Sequence, residues 1–268
     1  MNAKKLVAFL FATLFIITAA VYVFRYSQLL GHVLSLLPPL LAVIFGAYAT
    51  RTYRLGSVHG KSMALMTTSL FFFFMGELFF FLFQFVFHTS PFPSVADVFY
   101  LAAYPLLLAG LLKEVSFHTV SWRSINKLVL VLILLLLMSL AFIVLYFGVF
   151  LAYNPGDSVI KNSIAIGYGI ADLLLIIPSL FVLNMALDYR GGKLFNSWGL
   201  ILLGVMWMMA GDILFAIFNN MYAVLTWPYT LIDLVWIASF LAFAYSFFYT
   251  AATIKELDSK LINKAKGS

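Results

Sequence analysis

Five carboxylates stand inside stretches of chain that are otherwise almost wholly apolar: Glu77, Asp97, Asp172, Asp212 and Asp233. On insertion scales a charge at the centre of a membrane helix costs about 2.5–3.5 kcal/mol, so such a group faces a partner, a bundle interior or water. No Lys or Arg lies in a span interior to pair with them. They are therefore either protonated or able to attract a cation from outside. Four of the five recur in matched settings. Gly76-Glu77-Leu78-Phe79-Phe80 parallels Gly211-Asp212-Ile213-Leu214-Phe215. After a turn at Pro91-Phe92-Pro93 or Trp227-Pro228 comes a second acid, in Asp97-Val98-Phe99-Tyr100 or Asp233-Leu234-Val235-Trp236. The acid-to-acid spacing is 20 in one copy and 21 in the other. Gln84 and Asn219 each follow the first acid by seven residues, two helical turns, which predicts a shared face.

Position separates the roles. Asp97 and Asp233 come just after the turns, with Ser94 or Thr230 three residues earlier, where a carboxylate also suits a helix dipole. Glu77 and Asp212 are too deep for capping. Asp172 sits in Gly167-Tyr168-Gly169-Ile170-Ala171-Asp172, where small residues allow close helix approach. It has no acidic counterpart; Val33 aligns there, beside His32. All five acids fall in one half or the middle of their spans, as an open polar cavity would require. The candidate ligand-binding set is Glu77, Gln84, Asp97, Tyr100, Tyr104, Asp172, Asp212, Asn219, Asp233 and Trp236. Tyr104-Pro105 marks a movable point, because Pro removes a helical hydrogen bond. His59 and His118 are expected in solvated loops, and His32 and His88 at the interface. Those two histidines and the acids could supply metal ligands, though no spacing demands a metal. No catalytic residue and no cofactor is indicated. Asp172 and Asp212 invite comparison with intramembrane aspartyl proteases, whose paired carboxyls share a proton. Met209 occupies the first Gly position of that Gly-x-Gly-Asp motif, and the duplication already accounts for Gly211-Asp212.

These residues must be positioned by membrane helices. Of 268 residues, 64% are hydrophobic and 10% charged, against about 25% charged in an average soluble domain. That composition excludes a soluble enzyme or a nucleic-acid binder, and with no Cys there is no disulfide or thiolate chemistry. Eight apolar spans are expected, over 6–26, 29–50, 62–87, 94–112, 128–153, 163–189, 197–222 and 229–250. The first resembles a signal peptide, but its apolar stretch is longer than the usual core of about 7–15 residues, so it is read as a retained helix. Continuous apolarity selects helices over a barrel. Fourteen of the 16 basic residues fall on the side of the N-terminus, which predicts both termini in the cytoplasm of a cell-membrane protein. Only Arg25 and Lys161 fall opposite. The net charge of +6 then marks topology rather than nucleic acid. Tyr26, Tyr48, Tyr153, Tyr189, Trp198, Tyr222 and Trp227 fit interfacial belts. Pro39 to Arg51 and Pro178 to Arg190 both span 12 residues, which extends the duplication backwards. The expected fold is an all-α membrane protein with two parallel four-helix repeats, 1–125 and 126–250, and a basic tail, 251–268. Parallel repeats place sites where they meet.

The segment from Pro91 to Leu111, with Pro93-Ser94, Ala96-Asp97, Tyr100-Leu101, Tyr104-Pro105 and Gly110-Leu111, resembles the multi-helix sensory region that precedes prokaryotic diguanylate cyclases and histidine kinases. Asp233-Leu234-Val235-Trp236, with Phe240-Leu241 and Ala244, is similar to its last helix. The resemblance implies a sensor in the lipid bilayer. About 18 residues follow the last span, so the expectation is that any output passes to a separate cytoplasmic signalling protein, or that the sequence is a piece of a longer chain. The resulting expectation is a receptor-like module for a small polar or cationic ligand. The alternative is a proton- or cation-coupled transporter of small solutes.

Overall fold

The computed structural model describes residues 3–116, 127–188 and 195–266, and within them every regular element is helical. Lipid offers no hydrogen bonds, so each backbone group must be paired inside its own segment. The helices are α1 (Ala3–Val23), α2 (Gln28–Ser35), α3 (Leu37–Tyr53), α4 (Val58–Phe81), α5 (Val95–Val115), α6 (Lys127–Ile143), α7 (Val159–Asp188), α8 (Phe195–Ala223) and α9 (Ile232–Lys266). Short π-helical turns, Leu82–Val86 and Val144–Phe150, extend α4 and α6. The expected second span is broken at Leu36, just before Pro38-Pro39, into α2 and α3. Among the described residues seven helical stretches are long and apolar enough to cross a membrane, the pattern of a multi-pass membrane protein. The expected fifth span contributes a shorter apolar helix, Met138–Phe150, to that inventory. The expected boundary between the two halves, at 125, lies outside the described residues, as do His118, Tyr189 and Arg190.

Six helices form a closed ring. α3 packs on α4, α4 on α5, α5 on α7, α7 on α8, α8 on α9, and α9 returns to α3. α1 lies outside against α9, and the π turn after α6 packs on α7 and α8. Serines tie neighbours together by donating to carbonyls across the interface. Ser69 reaches Ala103 at 2.8 Å and Ser62 reaches Gly110 at 2.9 Å between α4 and α5. Ser239 reaches Gly204 and Ser246 reaches Ser197, both at 2.7 Å, between α9 and α8. Such interhelical bonds contribute about 0.6 kcal/mol each in membrane bundles. Large apolar residues such as Phe9, Ile16 and Phe142 are exposed on the outside, as a lipid-facing surface requires.

Several polar residues are more deeply engaged than their sequence positions suggest. Lys4 is 9% exposed; its Nζ donates to Thr253 at 2.9 Å and pairs with Glu256 at 3.1 Å, fastening α1 to α9. His59 is not a solvated loop residue. It opens α4, with Nδ1 2.6 Å from the Glu114 carboxylate, which is 2% exposed on α5. Trp198 and Tyr222 are each 3% exposed, so both are packed inside the protein rather than turned to lipid. α9 continues unbroken through the expected tail, 35 residues in all, or about 52 Å at 1.5 Å per residue.

Candidate functional site

Inside the ring, towards the end that carries the 88–94 turn, lies a cavity of about 80 Å³. α4, α5, α7 and α8 each contribute one carboxylate to its wall: Glu77, Asp97, Asp172 and Asp212. Tyr100, Tyr104, Asn219 and Trp236 also line it. Eight of the ten expected positions thus share one cavity. Asp233 lies in a small adjoining pocket that Glu77 and Trp236 also line. Gln84 lines neither. It sits within the π turn Leu82–Val86, whose extra residue breaks the two-turn register that would have placed it under Glu77.

Small residues set the aromatic walls. A Cβ on Gly76 would meet the Tyr100 ring, and one on Gly211 would meet the Trp236 indole. With glycine at both places the rings lie directly against the facing helix and reach the adjacent acids. Trp236 Nε1 donates to Asp212 Oδ1 at 2.9 Å, and Tyr100 faces Glu77. The Tyr104 hydroxyl donates to Asp212 Oδ2 and also faces Asp172. α5 runs through Pro105 without a break, so Tyr104 is held on a continuous helix. α7 reaches its place through a contact of Gly169 with the Gly148 backbone in the π turn after α6.

The five acids differ in how fully their oxygens are occupied. Asp97 combines both roles open to it. Its Oδ2 accepts from Ser94 N at 2.6 Å, completing the capping box of α5, while Oδ1 accepts from the Tyr168 hydroxyl at 2.7 Å. Asp233 is 6% exposed and accepts from Tyr22 at 2.6 Å and Tyr222 at 2.5 Å. Its Oδ2 also lies 3.5 Å from His32 Nε2. His32 Nδ1 faces the Gln28 carbonyl at 2.9 Å, so that nitrogen carries a proton. His32 is 4% exposed and packs on Phe85 and Tyr22, so it is turned inward beside Asp233 rather than to the interface as expected. Asp172 is 2% exposed, and its Oδ1 has no hydrogen-bond partner among the described residues. A buried acceptor left unmade costs about 1–3 kcal/mol, more when charged.

Tyr22, His32, Tyr168 and Tyr222 were not among the expected site residues. Each has an aromatic ring near a span end or beside glycine, where composition alone gives it an interfacial or packing role. Among the described residues no Lys, Arg or His lines the main cavity. Among the described residues no three His, Asp or Glu side chains converge as a metal site would need. Comparison with protein-family models, characterised proteins and solved structures finds no match for the chain.

Proposed function

We propose that the chain is a receptor-like membrane module. It binds a small polar or cationic ligand in a cavity open to the outside, and passes a helix movement to a separate cytoplasmic partner. The observation that carries this reading is the convergence of four carboxylates from four helices on one cavity that no basic residue lines among the described residues. Binding there contacts both the first acid pair, Glu77 and Asp97, and the second-half acids Asp172 and Asp212, so a ligand would draw α4 and α5 against α7 and α8. The reading takes the fold as two parallel four-helix repeats, with α6 and its π turn as the fifth of eight spans. It places both termini in the cytoplasm, on the bias of basic residues towards that side. The resemblance of the Pro91–Leu111 region and of Asp233-Leu234-Val235-Trp236 to sensory modules points the same way.

The absence of Cys gives a labelling test without background. Asn219→Cys, on the cavity wall, should react with a membrane-impermeant thiol reagent added to intact cells, whereas Ser259→Cys in the α9 tail should react only after permeabilisation. The opposite pattern, or an unreactive Asn219→Cys in both conditions, refutes the outward-open cavity.

A further inference from the structure

We infer that the ligand of this cavity is a small organic ammonium ion bearing at least one N–H, anchored on Asp172 and enclosed by aromatic faces. This rests on the reading of the cavity as a binding site and gives the class of its ligand. Both oxygens of Asp212 accept hydrogen bonds, from Tyr104 and Trp236, and both oxygens of Asp97 accept from Ser94 N and Tyr168. Asp172 Oδ1 is the buried carboxylate oxygen on this wall with no partner among the described residues. A buried open acceptor suits an N–H donor. A bare metal ion would need several oxygen ligands at once, and no three acidic or histidine side chains converge here among the described residues.

The rest of the wall supplies what an ammonium ion needs beyond that single bond. Phe73, Tyr100, Tyr104, Tyr168, Phe215 and Trp236 present ring surfaces to the cavity. Ring faces attract ammonium groups, more strongly where water is excluded. The tyrosine rings are already oriented. Tyr104 is held by Asp212 and Tyr168 by Asp97, and their centroids stand 6.3 Å apart in an edge-to-face arrangement. Their hydroxyls point at carboxylates, so they are committed as donors while the rings line the cavity. An anion would meet four carboxylates without a cation. A guest without a hydrogen-bond donor would leave Asp172 Oδ1 unpaired. The cavity of about 80 Å³ admits a guest of a few heavy atoms, well below the roughly 300–1,000 Å³ of drug-sized pockets.

The test uses the full chain in lipid nanodiscs, titrated with methylammonium and trimethylammonium chlorides. Sodium, potassium and magnesium chlorides and uncharged tert-butanol serve as comparisons. Tryptophan emission, to which Trp236 is one of five contributors, and thermal unfolding report on binding to the folded state. The expected result is a saturable response to the two ammonium ions that the metal salts and tert-butanol do not reproduce. Asp172→Asn should weaken that response by about tenfold or more, while Asp157→Asn, in a loop pair with Lys161 that does not line the cavity, should leave it unchanged. An equal response to tert-butanol, a stronger response to a metal ion, or full retention in Asp172→Asn overturns the inference. If Asp172→Asn does not fold, the selectivity series on the unaltered chain decides. Silence of both ammonium ions, with Asn219→Cys still labelled from outside, sinks the ammonium ion and leaves the open cavity standing. Failure of that labelling sinks the cavity itself.

Discussion

Gly211→Ala isolates the contact that places Trp236 on Asp212. The added Cβ would fall 2.6 Å from Cδ1 and 2.9 Å from Cε2 of the indole, inside any ordinary van der Waals contact. The ring must then shift, losing its 2.9 Å bond to Asp212, or the helices must part. Overpacking of this kind costs about 1–3 kcal/mol. Against it stands the intrinsic gain of replacing a mid-helix glycine by alanine, about 1 kcal/mol. Gly199→Ala, on the same helix, controls for that gain, because a Cβ there meets nothing within 4 Å. The difference between the two variants should therefore approach the full packing cost, about 1–3 kcal/mol. The assay is reversible unfolding of both proteins in mixed micelles at rising SDS fraction, followed by tryptophan emission. Adding Trp236→Leu should shrink the penalty of Gly211→Ala, with a coupling of about 1 kcal/mol. Stabilities of Gly211→Ala and Gly199→Ala within about 0.5 kcal/mol of each other, inside the usual scatter of additive sites, would refute the seat assigned to the indole.

Two further variants probe the supports of the site. Gly169→Ala would drive a Cβ into the Gly148 carbonyl, a backbone atom that cannot rotate away. It should cost about 3 kcal/mol or more in the same unfolding assay, and a stability equal to that of Gly199→Ala would show that α7 does not need this approach. Tyr22→Phe removes one hydroxyl from Asp233 and leaves that oxygen only His32 at 3.5 Å. It should destabilise by about 1.5–3 kcal/mol, as for a hydrogen bond to a charged group, and expose α1 to limited proteolysis; unchanged protease resistance would argue against this fastening.

The acids were legible in the sequence because a charge among apolar residues is costly and must be housed. Glu77, Asp97, Asp172 and Asp212 do share a wall. Gly76 and Gly211 were visible as part of a duplicated pattern, but their purpose, seating Tyr100 and Trp236, depends on a facing helix that spacing alone does not place. Gln84 went astray because a π turn carries no strong residue signature, and one inserted residue rotates everything after it. Tyr222 looked like an interfacial residue for a related reason. A tyrosine near a span end has the same composition whether its hydroxyl meets headgroups or, as here, the Asp233 carboxylate. His59 and Glu114 are far apart in sequence, so only the packing of α4 on α5 reveals the pair. The break at Leu36, by contrast, had a visible cause in Pro38-Pro39.

The unbroken α9 has a mechanical consequence. It carries Trp236 at the cavity and Glu256 some 20 residues further on, and α1 is pinned to it at both levels, through Tyr22 on Asp233 and Lys4 on Glu256. The two helices are thus braced into a double-stemmed lever. Over about 52 Å, each degree of tilt about the cavity end sweeps the far tip by roughly 0.9 Å. A displacement too small to open a gap beside Trp236 becomes, at Lys266, a travel of the size of a side chain.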